Sequence, residues 1–125
     1  MKLLIAEDDD ALCNALATKF KGAGFEVAMC KDGNECMRVM GKEKFDGIVL
    51  DILMPGKDGY EVLAERGATM NASTPVYVVT NLGREEDCEK AKALGAKECV
   101  VKSNMSLKEV IGIVKKDLEG TENKK

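Results

Sequence analysis

The chain has 125 residues, a net charge of −3, 45% apolar residues and 33% charged residues. That length fits one domain able to bury a core without structural metal, and the acidic balance argues against a nucleic-acid-binding surface, which needs a basic patch. With no histidine, no C-x-x-C pair and no apolar run near the length of a membrane span, the sequence disfavours both a zinc site and a transmembrane segment.

The apolar run at residues 3–6 reads as a first strand. It meets Glu7-Asp8-Asp9-Asp10 at once, too soon for a signal peptide. Asp9 or Asp10 caps the first helix, whose Leu12, Ala15, Leu16 and Phe20 form one buried stripe. Gly22 and Gly24 end it. Residues 25–30 form a second strand. Asp32-Gly33 then opens a helix that turns Cys36, Val39 and Met40 inward. Residues 47–50 form a third strand. The third helix starts at Asp58 or Gly59 and runs toward Ala68, with Val62 and Leu63 as its apolar pair and Gly67 weakening its last turn. Residues 76–80 form the fourth strand. A charge-dense helix follows from Glu85 to Leu94, burying Cys88, Ala91 and Leu94 and stopping at Gly95. Residues 98–101 form the fifth strand. Ser106-Leu107-Lys108-Glu109 is a capping box, and it opens a helix with Leu107, Val110, Ile111, Val114 and Leu118 as its core face. Residues 1–119 make one domain, and residues 120–125 a polar tail expected to fray. The five cysteines (Cys13, Cys30, Cys36, Cys88 and Cys99) are expected to be reduced, mostly buried thiols of a cytoplasmic protein.

Strands alternating with helices imply an α/β fold, a parallel sheet covered on both faces. In such a sheet the carboxyl ends of all strands lie on one edge, where ligands bind. Four strands run there into reactive side chains: Glu7 and Asp8 after the first, Asp51 after the third, Thr80 on the fourth and Lys102 after the fifth. Three carboxylates in one small site repel one another. A hard divalent cation offsets that repulsion, and oxygen-only ligands suit Mg²⁺ or Mn²⁺. A carboxylate beside such an ion can attack phosphorus, while a lysine and a hydroxyl stabilise the phosphoryl oxygens. Taken singly, each residue has a plainer reading. An aspartate at a strand end is commonly a helix cap, which fits Asp9, Asp10, Asp32 and Asp58, and a lone threonine or lysine there is commonly solvated. The coincidence of four strand ends favours the chemistry.

These segments resemble the receiver domain of two-component response regulators. The likeness is carried by Leu4-Ile5-Ala6-Glu7-Asp8-Asp9, by the stretch from Gly47 to Gly59, by Val78-Val79-Thr80 and by Val100-Val101-Lys102. Asp51-x-x-Met54-Pro55-x-x-x-Gly59 is its most specific part, and it spans the chain from Lys2 to about Leu118. The resemblance implies a flavodoxin-like (βα)5 sandwich of strand order 2-1-3-4-5. It implies Asp51 as phosphoacceptor, and Asp8, Glu7, Asp51 and the backbone carbonyl of Leu53 as Mg²⁺ ligands. Thr80 becomes the switch hydroxyl and Lys102 the phosphoryl-binding lysine. The phosphodonor would be a sensor histidine kinase or a histidine phosphotransfer domain. A downstream protein would bind the face of the fourth helix, fifth strand and fifth helix, with no direct nucleic-acid or membrane contact. Such a domain is not an enzyme in the wider sense, since it catalyses only its own phosphorylation and dephosphorylation.

Three positions depart from the family pattern: Cys99 where an aromatic residue is usual, Asn81 where a small one is, and Ser103 in place of proline. A trans Lys102–Ser103 bond is expected, because cis costs about 3–4 kcal/mol before a non-proline residue. Other functions fit less well. A phosphohydrolase with an aspartyl nucleophile wants a second acid where Leu53 stands. A flavin module wants a phosphate-cradling loop where Glu7-Asp8-Asp9 would repel phosphate. A pseudo-receiver interaction module would not need the full acidic set.

Overall fold

The computed structural model describes residues 1–123. The strands are β1 (Lys2–Ala6), β2 (Glu26–Cys30), β3 (Gly47–Leu50), β4 (Val76–Thr80) and β5 (Glu98–Val101). The helices are α1 (Asp10–Gly22), α2 (Gly33–Lys42), α3 (Gly59–Glu65), α4 (Glu85–Ala93) and α5 (Leu107–Asn123), with single 3-10 turns at Arg66–Ala68 and Lys102–Asn104. All five strands pair in parallel in the order β2-β1-β3-β4-β5, the flavodoxin-like order expected. Strand order reverses at β1, so the crevice between the ends of β1 and β3 is the natural ligand position.

Alternation along each strand sorts the core into two layers. Leu3, Ile5, Val49, Tyr77 and Val79 face one way and pack on Cys13, Leu16 and Phe20 of α1 and on Val110, Val114 and Leu118 of α5. Leu4, Ala6, Ile48, Leu50 and Val78 face the other way, onto Cys36 and Met40 of α2, Val62 and Leu63 of α3 and Ala91 of α4. β1, β3 and β4 are buried almost throughout, which explains why they read as continuous apolar runs.

The caps sit where the sequence puts them. Asp9, Asp32 and Asp58 each accept a backbone N–H three residues on, and Glu61 and Glu109 complete capping boxes with Asp58 and Ser106. Two packing details differ from expectation. In α1 the buried stripe is Cys13, Leu16, Ala17 and Phe20, so Leu12 and Ala15 lie at its margin. In α4 only Ala91 and Asp87 are buried, with Cys88 and Leu94 half-buried. α5 continues through Asn123, into the stretch expected to fray, while Lys124 and Lys125 lie outside the described residues.

The thiol expectation needs correction. Cys30 is bonded to Cys36, and Cys88 to Cys99, leaving Cys13 as the free, buried cysteine. No C-x-x-C spacing announces these pairs because the fold, not sequence adjacency, makes them. One joins the end of β2 to the first turns of α2, and the other joins α4 to β5. Among the described residues no helix is long and apolar enough to cross a membrane.

Candidate functional site

The strands deliver their terminal side chains to one point. β1 ends at Ala6, whose carbonyl accepts the Asp51 N–H at 3.0 Å, and the Glu7 N–H donates to the Cys30 carbonyl at 3.1 Å. These ladder bonds fix the register of both carboxylates. Glu7 is 2% exposed and Asp51 5%, whereas Asp8 is open to solvent. Carboxylate oxygens of Glu7, Asp8 and Asp51 lie within 4.8 Å of one another. That spacing fits an oxygen-only site for one hard divalent cation, with an exposed side for its waters.

Lys102 reaches across from the end of β5. Its ammonium donates to Glu7 Oε1 at 2.6 Å and to Asp51 Oδ2 at 2.9 Å. Burial disfavours the charged lysine, but hydrogen bonds to Glu7 and Asp51 outweigh it, so the Lys102 pKa lies above its ordinary value. Glu7 responds differently. Its own burial outweighs the lysine and the Asp9 N–H, pushing its carboxyl up to about 6. One ammonium among three carboxylates leaves the cluster short of positive charge, as a cation site should be.

Thr80 ends β4, the neighbour of β3 in the sheet. It is 1% exposed, and its Oγ1 accepts the Leu82 N–H at 3.2 Å. The hydroxyl proton therefore remains available for an acceptor. Leu53 donates its N–H to Asp51 Oδ1 at 3.3 Å and leaves its side chain 53% exposed at the rim. Beside it, Asp8, Leu53, Met54, Pro55 and Asp58 line an open hollow of about 430 Å³.

Glycine shapes the loop after Asp51. A Cβ on Gly59 would stand 2.5 Å from the Asp51 carbonyl oxygen and 2.7 Å from Ile52 Cα, both backbone atoms. Only glycine lets α3 start this close to the acceptor strand, and its N–H donates to the Ile52 carbonyl at 2.8 Å. The Lys102–Ser103 bond is trans, since the described residues contain no cis peptide. The chain then turns through Lys102–Asn104 toward the Ser106 cap.

Of the residues picked from sequence, Glu7, Asp8, Asp51 and Lys102 converge, Leu53 is tied to Asp51 through its N–H, and Thr80 stands at the end of β4. The sequence reading missed Tyr60, whose hydroxyl donates to the Asp87 carbonyl at 3.1 Å and ties α3 to α4. It also missed Asp87, buried and paired with Arg84. A polar residue inside a charge-dense helix gives no periodic signal.

Comparison with known proteins agrees with this layout. The family model for the response regulator receiver domain matches residues 3–115. The transcriptional activator protein PfeR of Pseudomonas aeruginosa is 38% identical over 69% of this chain and 28% of its own length. A probable transcriptional regulator, ycf27 of Cyanophora paradoxa, is 33% identical over 98% of this chain and 50% of its own. The chain therefore spans half or less of the length of these curated relatives. Among solved structures, a Francisella response regulator receiver domain superposes with a TM-score of 0.86 at 28% identity, covering 96% of this chain and 98% of that one. The beryllofluoride-activated receiver domain of DrrB gives 0.84 at 26% identity, over 94% and 97%. Fold, site and family match agree, and the chain belongs to the response regulator receiver domains.

Proposed function

We propose that this chain is a phosphorylation-driven switch in which Asp51 accepts a phosphoryl group from a phosphohistidine donor. The observation that carries the reading is the Lys102 ammonium spanning Glu7 and Asp51, inside a cluster of three convergent carboxylates. An Asp51 carboxylate oxygen attacks phosphorus, the bond from phosphorus to the donor's imidazole nitrogen breaks, and the imidazole leaves. Glu7, Asp8, Asp51 and the Leu53 carbonyl would hold Mg²⁺, or Mn²⁺ in its place. When bound, that ion supplies positive charge to the phosphoryl oxygens. Lys102 moves from Asp51 onto one phosphoryl oxygen, and the Thr80 hydroxyl donates to another.

The donor we propose is a sensor histidine kinase or a histidine phosphotransfer domain, acting in the cytoplasm where ATP can supply the phosphoryl group. The output is a changed affinity for a protein partner on the α4–β5–α5 face. Curated relatives named as transcriptional regulators are longer than this chain, and its net charge of −3 supports a protein as the direct partner of this stretch. The hydrolase alternative lacks its second acid, since apolar Leu53 occupies that position. Incubation with acetyl phosphate and Mg²⁺, read by intact mass, tests the proposal. One phosphoryl group, lost on brief alkaline treatment and absent without Mg²⁺, is expected. An alkali-stable adduct, or none, would defeat it.

A further inference from the structure

We propose that Cys88 and Cys99 form a reversible redox modification site, exchanging with thiol and disulfide reagents, whose oxidised form opposes the phosphorylation switch. The gating half of this proposal rests on the phosphoacceptor reading above.

The two cysteine pairs differ in access. Cys30 and Cys36 are fully buried, which shields their bond from exchange. Cys88 and Cys99 are both half-buried, with Cα atoms 5.5 Å apart, within the range a disulfide spans. Exchange requires a thiolate to reach a sulfur, so the second pair is the reactive one. The reaction balances with a low-molecular-weight disulfide such as oxidised glutathione. One cysteine thiolate attacks it to form a mixed disulfide and release one thiol. The second thiolate displaces the other thiol. Two electrons pass from the protein to the reagent, and the two cysteine protons end on the two released thiols. Reduction by a dithiol runs the same steps backward.

The position of the bond supplies its consequence. α4 is thinly attached: Ala91 is its one buried apolar residue among those described. Half-buried Leu94 packs on the core at the far end of the helix, and its first turns are tied by polar contacts, from Tyr60 to the Asp87 carbonyl and from Lys90 over the Tyr60 ring at 4.1 Å. The N-cap residue Arg84 makes no side-chain capping bond. Residues 81–84 link this helix directly to Thr80, and the Thr80 hydroxyl already holds the Leu82 N–H. When Thr80 shifts toward a phosphoryl oxygen, this loop and the start of α4 must follow. A covalent bond from Cys88 to β5 holds that start in place, three residues from Lys102. The reduced protein is free to follow, and the oxidised protein is not.

Coupling of this kind typically changes affinity by about tenfold, and linkage makes it reciprocal. Oxidised protein should bind beryllofluoride with Mg²⁺ about tenfold more weakly than reduced protein. Saturating beryllofluoride should in turn shift the Cys88–Cys99 equilibrium tenfold toward the dithiol, ~30 mV for a two-electron couple. The test equilibrates the whole chain in glutathione buffers with Mg²⁺, with and without beryllofluoride. Alkylation and peptide mass spectrometry then count the Cys88 and Cys99 thiols. Beryllofluoride affinity is measured in parallel for both redox forms and for Cys88→Ser, or Cys99→Ala if the first variant does not fold. Support requires that the pair titrates, that affinity falls on oxidation, and that the variant loses the oxidant response. A pair that stays fully reduced at every ratio overturns the site. Equal affinity in the two forms overturns the gating, and so does a variant that still weakens on oxidation. Absence of beryllofluoride binding in either form defeats the phosphoacceptor reading and the gating with it, while the thiol count still reports on the site.

Discussion

The acceptor edge and the α4–β5 face are built on opposite plans. At the acceptor edge, Glu7, Asp51 and Thr80 are each no more than 5% exposed and stand on strands buried from both sides. Their positions follow from the sheet register and are locked by bonds such as Asp51 N–H to the Ala6 carbonyl. On the other face, α4 buries Ala91 as its one apolar residue, carries three acids in its first turn and is joined to the sheet by half-buried cysteines. On the proposed function, the contrast puts the chemistry on the tightly packed edge and the signalling on the face held lightly enough to move. It also locates the family departures at Asn81, Cys99 and Ser103, all outside the acceptor cluster. They bear on how the signal leaves, not on whether it arrives.

The largest effect should come from removing the nucleophile. Asp51→Asn should abolish labelling by acetyl phosphate entirely, because an amide is a poor nucleophile. Intact mass and a stopped phosphorylation assay read this out. Labelling retained at full extent would place the acceptor elsewhere and remove the rigid half of the comparison.

Next come two glycines that report on how tightly each region is built. Gly59→Ala drives a methyl group to within 2.5 Å of the Asp51 carbonyl oxygen, and the opposing atoms are backbone. A loss of about 1–3 kcal/mol is expected, with weakened Mg²⁺ binding as the acceptor loop shifts. Gly83→Ala lies in the loop before α4, where the nearest atom to the new methyl is Val101 Cγ1 at 3.9 Å. Its φ is not positive, so it should be neutral or gain a few tenths of a kcal/mol. Urea denaturation of both variants tests the pair, and equal costs would erase the distinction between the regions.

Much of the rigid half was legible in the sequence, and for a physical reason. Strands buried on both faces leave uninterrupted apolar runs, so Glu7, Asp51 and Thr80 could be placed at their ends from pattern alone. Caps did the same for the helix starts, where Asp9, Asp32, Asp58 and Ser106 each precede a periodic stretch. The lightly held half was less legible. Periodicity turned Cys88 inward beside Ala91, but which strand residue it meets depends on the register of β5 and the angle at which α4 crosses it. The pairing with Cys99 therefore left no local trace. Neither did Asp87 or its tie to Tyr60, because a buried carboxylate among exposed ones looks like its neighbours in sequence.

Protonation of Glu7 offers a smaller effect. Burial raises its pKa from 4.5 to about 6 in the folded protein without metal. A raised carboxyl favours folding below its unfolded pKa and loses that contribution as pH climbs through the folded value. Metal-free protein should therefore lose about 2 kcal/mol from this group between pH 4.5 and pH 6. Protons compete with Mg²⁺ for the same carboxylate, so affinity for the ion should rise across that window and level off above it. Calorimetry at several pH values, with Glu7→Gln as the reference, checks both slopes. A flat profile in the unaltered protein would show that Glu7 stays ionised when buried.

The smallest expected effect lies where the two regions meet. Leu53 and Leu82 stand two residues beyond Asp51 and Thr80, and each donates its backbone N–H to the side chain of that residue, at 3.3 Å and 3.2 Å. Their backbones hold the site, and the phosphoacceptor reading puts their side chains, Leu53 exposed at the rim and Leu82 half-buried, beside the approach to it. Water that attacks a phosphoryl group on Asp51 must pass these side chains, and an isobutyl group neither orients water nor accepts its proton. The acyl phosphate should consequently decay slowly. Replacing Leu53 with Asn and Leu82 with Glu supplies a donor and an acceptor along that path. A severalfold faster decay is expected once the phosphodonor has been removed by desalting and Mg²⁺ kept constant. The effect should come mostly from Leu53, the more exposed of the two, and the single variants separate their shares. A decay rate indifferent to both changes would mean that the scaffold around Asp51, not the side chains at its rim, sets the lifetime of the signal.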